Sequence, residues 1–289
     1  MFKRQKKYGL LILVAILILV NIFLFRLDLQ SSNKDLTFAM LDVGQGDALF
    51  IESPTGTQII FDAGSAHKVL GPLRKVISPF DKSIDAMVIT NPDADHIGGF
   101  VDVFKNYKVE KVFESGTWND SKTFQNLKME IKNQNIPNIL LKKGMRLNIG
   151  GGTFIDILFP DRNVFDWSPN DGSVVARLTY GKTSIMLTGD ATIETEKIIL
   201  EGNATGQLTS DVLKVGHHGS RTSTSYKFIQ AVSPAYALIS DGKDNKYGHP
   251  HQEVLDDLTS FGVKIFRTDL VGTIIMKSDS EKETFSFSK

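Results

Sequence analysis

The stretch Thr90-Asn91-Pro92-Asp93-Ala94-Asp95-His96-Ile97-Gly98-Gly99 constrains this chain more than any other. It follows a largely apolar run, Ile84 to Ile89, that reads as a buried strand. Two carboxylates, an imidazole and the Asn91 amide are thereby gathered where a strand ends in a tight turn. Such groups hold divalent metals, and a site at a strand's end leaves coordination positions open to substrate. Alone, the stretch also reads as an Asp-rich capping turn, since Asp and Asn are common turn residues. The histidines decide between the two. Of six in the chain, five fall at three spots: His96, His217 with His218, and His249 with His251. Leu187-Thr188-Gly189-Asp190 adds a further carboxylate. The sixth, His67, falls on an expected helix with no motif around it and reads as a surface residue.

The pattern along the chain predicts strands in runs, with helices interspersed in both halves. Strand-like runs at 36–43, 48–52 and 58–61 precede a helix around 67–77. Three further runs at 153–158, 174–180 and 184–187 form a hairpin-rich stretch with Gly at the turns. Helices at 193–200, 225–232 and 252–261 then alternate with strands at 212–215 and 235–239. Such runs suit two sheets packed face to face with helices outside, but pattern alone supports only an α/β or α+β class.

Taken in order, several phrases resemble the metallo-β-lactamase superfamily, and more narrowly the hydrolase-like domain of the ComEC/Rec2 competence proteins. They are Leu41-Asp42-Val43-Gly44-Gln45-Gly46-Asp47-Ala48, Asn91 to Gly99, Leu187 to Asp190, His217-His218-Gly219-Ser220, Asn245-Lys246-Tyr247-Gly248-His249-Pro250-His251, and Arg267-Thr268-Asp269-Leu270-Val271-Gly272. The resemblance runs from about Leu36 to the C-terminus and omits the multi-span channel of full competence proteins. It implies an αββα four-layer sandwich with a metal site along one edge.

The resemblance also implies a ligand set: Asn91, Asp93, Asp95, His96, Asp190 and His217. Asp95, His96 and Asp190 match the family pattern residue by residue. Superfamily members usually carry His where Asn91 and Asp93 stand, and an amide is a weak ligand, so Asn91 implies a poor first metal position. The family's third-motif His is also missing; Asn170 or Asp171, in Asn170-Asp171-Gly172-Ser173, are the candidates to replace it. The last ligand lies among His217, His218 and His249, with His217 favoured because it directly follows a strand. Asp95, His218 and His249 are the expected catalytic groups, and His218 or His251 could equally act as a proton donor or supporting partner. Such a carboxylate-rich set suits Zn²⁺ or Mn²⁺, as one or two ions. Either would lower the pKa of a bound water toward neutrality. Ser220, Arg221 and Ser223 precede a helix and could hold a substrate phosphate, although a Ser/Thr-rich helix start is also plain capping. No Ser/His/Asp elbow, P-loop or dinucleotide fingerprint is present.

The first residues differ in kind. Lys3, Arg4, Lys6 and Lys7 form a basic tail (1–7) before an apolar run over 8–25, which predicts an uncleaved transmembrane signal anchor. The basic tail places the N-terminus in the cytoplasm, and a linker over 26–35 would lead to an extracellular hydrolase domain, 36–289. Without residues 1–26 the chain has 28 basic against 33 acidic residues, a formal charge of −5. A polyanion would then depend heavily on the metal for its attraction. The leading expectation is a membrane-anchored phosphodiesterase acting on DNA or a cell-wall phosphodiester polymer. The alternative is a binding module for a polyanion or partner, with a degenerate metal site. A β-lactamase proper fits less well, because Asp93 and the His217-His218 phrase do not belong to that branch.

Overall fold

The computed structural model describes residues 12–23, 35–204 and 206–289. Residues 12–23 are helical (α1) with exposed side chains. Among the described residues no helix is long and apolar enough to cross a membrane. The rest of the predicted span (8–11 and 24–25), the basic tail and linker residues 26–34 lie outside the described residues.

The first sheet begins as an antiparallel meander of β1 (Leu36–Met40), β2 (Leu49–Glu52) and β3 (Gln58–Phe61). After α2 (Leu70–Leu73) and the short β4 (Ser83–Ile84), the chain returns as β5 (Ala86–Ile89), parallel to β3. Two helices follow, α3 (Ala94–Ile97) and α4 (Phe100–Asn106); β6 (Lys108–Val109) then pairs with β4. The sheet grows by β7 (Val112–Glu114) and, after α5 (Lys122–Asn133), by β8 (Asn138–Leu140). The second sheet starts with four antiparallel strands, β9 (Arg146–Gly150), β10 (Thr153–Phe159), β11 (Val175–Tyr180) and β12 (Thr183–Leu187). It then runs parallel through α6 (Ile193–Glu201), β13 (Val212–Lys214), α7 (Tyr226–Val232), β14 (Tyr236–Ile239), α8 (Gln252–Ser260) and β15 (Lys264–Arg267). After α9 (Thr268–Val271), β16 (Ile274–Ser278) returns to pair with β1, and β17 (Glu283–Phe287) closes that edge.

Side-chain alternation makes the layers. Along β1, Leu36, Phe38 and Met40 face the space between the sheets, while Ala39 packs beneath the first group of helices. Across the core, Ile185, Leu187 and Leu238 point inward, and Met186, Ala237 and Ile239 point to the second group of helices. Both faces of the central strands of each sheet are therefore covered, as a run of apolar residues without polar alternation requires, while β8 and β17 at the edges stay largely exposed. This is the four-layer αββα arrangement. The helices earn their places by pattern: α5 is capped by Ser121, whose Oγ accepts from Phe124 N at 3.2 Å, and buries Phe124, Leu127 and Ile131 along one stripe.

One expected helix shrinks. Over 67–77 only Leu70–Leu73 is helical: Pro72 has no N–H to give to Lys68 O, so it is tolerated in the first turn of a short helix and not in the middle of the expected one. His67 sits in a turn with φ 65°, exposed, its ring 3.0 Å from Asp102.

Candidate metal centre

The carboxyl ends of β1, β3, β5, β12, β13 and β14 gather along one edge, and the loops leaving them carry the chemistry. The turn after β5 is held by Asn91, which is fully buried. Its Oδ1 accepts from Asp93 N at 2.8 Å, and its Nδ2 donates to Asn170 Oδ1 at 2.7 Å and Ser173 Oγ at 3.3 Å. Asn91 thus spends its amide on shaping the turn. Asp95 and His96 then lie on the single turn of α3, pressed against neighbouring backbone: Ala63 N donates to His96 O at 2.7 Å. A Cβ on Gly46 (φ 119°) would come within 2.0 Å of the Asp95 carbonyl, so only glycine permits that approach.

His96 is buried between two carboxylates, with Nδ1 2.8 Å from Asp62 Oδ2 and Nε2 3.0 Å from Asp190 Oδ2. Asp62 is itself fixed by the Thr90 N–H at 2.8 Å and by the Thr90 hydroxyl. It therefore holds the Nδ1 proton and turns the Nε2 lone pair into the centre, the usual support of a ligating imidazole. His218 is arranged alike. Its Nδ1 meets Ser240 O at 2.9 Å and Asp47 Oδ1 at 3.4 Å, and its Nε2 lies 3.5 Å from both Asp95 and Asp190. His217 and His218 both adopt left-handed backbone (φ 47° and 56°), a strain of about 1–3 kcal/mol each that such sites tolerate.

Behind Asp190 stands Lys214, with no exposed surface. Its Nζ donates to Gly189 O at 2.6 Å, ion-pairs with Asp47 and lies 3.7 Å from Asp190 Oδ1.

The nitrogens His96 Nε2 and His218 Nε2 are buried without a hydrogen-bond partner, as is Asp190 Oδ1. Two imidazole lone pairs and two carboxylates facing one another repel unless a cation or protons lie between them, so the donor set fits a divalent metal. Ligand atoms of Asp95, His96 and His218 lie within 4.8 Å of one another, as do those of Asp47, Asp190 and His218. The protein's response without metal is protonation. Burial alone would lower the His218 pKa, but Asp190 and Asp47 outweigh it and hold it at about 10. His96 is likewise raised against burial by Asp190 and Asp62. Burial would raise Asp95, but the His218 imidazole 3.5 Å away and the charge of His96 bring it to about 2. His249, by burial and then by the charges of His217 and His218, falls to about 4.

The cleft encloses about 170 Å³ and is lined by Gln45, Asp93, Asp95, Asn170, Asp190, His217, His218, Tyr247 and His249. The structure thus brings together Asp93, Asp95, His96, Asp190, His217, His218 and His249. Of the histidine alternatives, His218 is the one whose ligand atom falls within 4.8 Å of those of Asp95 and His96, while the favoured His217 lines the cleft with Nε2 3.9 Å from Asp190 and Nδ1 against Thr222. Asp93 sits at the rim, accepting from Asn119 Nδ2 at 2.9 Å. Of the two candidates to replace the third-motif histidine, Asn170 lines the cleft, whereas Asp171 bonds Ser168 and Thr192. His251 meets His249 edge-on, with ring centres 5.0 Å apart, and accepts from Arg221 N.

Ser220, Arg221 and Ser223 do not line the cleft. Ser220 and Ser223 are buried in the turn, where Ser220 bonds Thr222, and Arg221 reaches toward Glu253 at 3.8 Å. Sequence reasoning did not single out Asp47, Asp62, Lys214, Gln45, Tyr247 or Asn119. Gln45, Asp47 and Tyr247 stand within the quoted phrases, and Asp62 closes a strand; those were the available signals.

A two-sheet αββα sandwich with a His/Asp cluster on the carboxyl edge defines a class of metal-binding hydrolase folds. Residues 41–240 match the metallo-beta-lactamase superfamily, and the chain belongs to it. It is 34% identical over 265 residues to ComE operon protein 3 of Bacillus subtilis (strain 168), covering 86% of this chain and 34% of that protein. It is 30% identical to competence protein ComA of Neisseria gonorrhoeae, covering 90% and 35%. Recombination protein 2 of Haemophilus influenzae is 29% identical, covering 90% and 30%. The chain thus spans about a third of the length of these relatives. Among solved structures, the metallo-beta-lactamase fold protein YhfI from Bacillus subtilis superposes with a TM-score of 0.57 at 14% identity, over 84% of this chain and 100% of that one. Igni18, a metallo hydrolase from Ignicoccus hospitalis, gives 0.53 at 14% identity, over 88% and 100%.

Proposed function

We propose that this chain is a metal-dependent phosphodiesterase, held at the membrane by residues 8–25, with its hydrolase domain outside the cell. The observation that carries the catalytic part is the convergence of His96 Nε2 and His218 Nε2 with Asp95 and Asp190 at the floor of an open cleft. A bound Zn²⁺ or Mn²⁺ would polarise a phosphoryl oxygen, activate a water and neutralise the anionic diester. The protein's own groups orient and exclude. Asp62 and the Ser240 carbonyl fix the two imidazoles, and Lys214 holds Asp190 from behind. His249, neutral near pH 7, stands at the cleft as the group to accept or return a proton. Relatives named competence and recombination proteins make DNA the first candidate substrate, with a cell-wall phosphodiester polymer second. Four basic residues before the apolar run support a cytoplasmic N-terminus.

Full-length protein in detergent, assayed with methyl p-nitrophenyl phosphate, should show chelator-sensitive turnover. Asp190→Ala should lose both bound metal by elemental analysis and turnover, since the two imidazoles then face no central carboxylate. Unchanged metal content in that variant would sink the assignment. The second reading, a polyanion-binding module, is favoured by Asn91, whose amide is committed to Asn170, Ser173 and Asp93 N at the position where the family resemblance implies a metal ligand. Binding of a phosphodiester polymer without turnover under Zn²⁺ or Mn²⁺ would establish that reading instead.

A further inference from the structure

The loops that wall the metal cleft also wall a second cavity, of about 540 Å³. Ser115, Gly116, Asn163 and Phe165 line it, while a few residues along the same loops Asn119 holds Asp93 and Asn170 lines the cleft. The two loops are tied together: Trp118 N donates to Phe165 O at 3.0 Å, and Thr117 Oγ1 donates to Gly172 O at 3.3 Å. Trp118 and Asn119 are consecutive, so their Cα atoms are about 3.8 Å apart, and an aromatic rim adjoins the metal rim directly.

That rim is built for a flat ring. Phe165 stacks on Trp118 with ring centres 5.7 Å apart and planes at 26°, and Phe124 braces Trp118 edge-on at 5.3 Å. Both stacked rings stay open to solvent, 48% for Phe165 and 42% for Trp118, although aromatic surface is normally among the first to be covered. The charged lining leans positive. Asp161 is matched by Arg162 at 2.7 Å, while Lys142 is exposed and has no ion pair among the described residues. A local cation on a chain body of negative formal charge suits an anionic partner that brings its own aromatic rings.

We propose that this cavity is a subsite for a nucleobase of a single nucleic-acid strand. The base continues the Trp118–Phe165 stack, Lys142 meets a flanking phosphate, and the neighbouring diester reaches the metal cleft. The inference rests on the phosphodiesterase reading and narrows it. A polyol-phosphate polymer has no ring to stack here, whereas every base has a π face, so recognition is independent of sequence. A duplex, with its bases already stacked inside, would have to open first.

The test compares binding of a fluorescent single-stranded oligothymidylate with that of an abasic strand of equal length, using full-length protein. The wild type should prefer the base-bearing strand by about tenfold or more. Phe165→Ala should bring the ratio toward parity, and Phe165→Tyr, which keeps the stack, should retain it. Lys142→Ala should weaken both strands alike. Absence of a preference in the wild type, or a preference undiminished in Phe165→Ala with an unchanged melting temperature, overturns the subsite. Wild-type turnover of methyl p-nitrophenyl phosphate, which has no strand to lay across the rim, reports separately on the phosphodiesterase reading.

Discussion

Lys214 places an ammonium where no water reaches, and a buried charge is tolerated only when paired and hydrogen-bonded. Its partners come from two loops, Asp47 from the one between β1 and β2, and the Gly189 carbonyl and Asp190 from the one after β12, so one side chain ties the two sheets together behind the centre. Lys214→Met should cost about 3–5 kcal/mol in chemical denaturation, because Asp47 is left buried and uncompensated. Adding Asp47→Asn should recover part of that loss; a single-variant cost below about 1 kcal/mol would mark the pair as no better than a surface one. A second prediction concerns pH. The pKa values of His96 and His218 are raised above 6.5 in the metal-free protein, the latter to about 10. Their protons stabilise that state fully below pH 6.5, and the contribution is lost as pH rises toward 10. Metal must displace those protons, so its affinity should climb by about tenfold per pH unit for each proton released. A competition titration from pH 6 to 8 checks this, and a flat profile would count against both nitrogens as ligands. Residue types were readable in sequence where a motif gathers them, as in Asp93 to His96. Lys214 was not, because a lone lysine in a short strand looks like a solvated position, and its partners lie far away in the chain. Asn91 misled through its chemistry: an amide that resembles a weak ligand is also a donor and acceptor suited to holding a turn.

At the scale of elements, the centre is a product of strand direction. Asp47, Asp62, His96, Asp190 and His218 all follow strands whose carboxyl ends share one edge, so two sheets present their loops to a single cleft. Alternation made the strands legible: β10, β11, β12 and β14 lie within a residue or two of the runs expected from pattern. Helix α2 is shorter than the pattern over 67–77 predicts, because Pro72 cannot donate within a longer one. The sheet interface is where stability concentrates. Phe38 is fully buried between the sheets, and Phe38→Ala should cost about 3–5 kcal/mol by denaturant unfolding. Its neighbour Ala39 faces the helices instead, so Ala39→Gly should cost far less. Equal losses would mean the two faces of β1 are not distinguished as described.

At the scale of the molecule, the four layers were foreshadowed by family resemblance, while the pattern alone supported only a mixed class. What neither conveyed is how the last strands complete the first sheet. β16 lies against β1 along its full length, and Thr273 just before it accepts from Asp42 N at 3.0 Å, anchoring the loop that carries Asp47. Removing residues 273–289 should therefore strip metal from the protein although it deletes no ligand; full metal content in the truncated chain would refute this. The arrangement also acts as a clock. Synthesis reaches Asp47, Asp95, Asp190 and His218 well before residues 274–278, so a growing chain holds these four side chains and still lacks the strand that seats Asp47. The cluster is therefore completed only after its own residues have been made, once β16 is there to pair with β1.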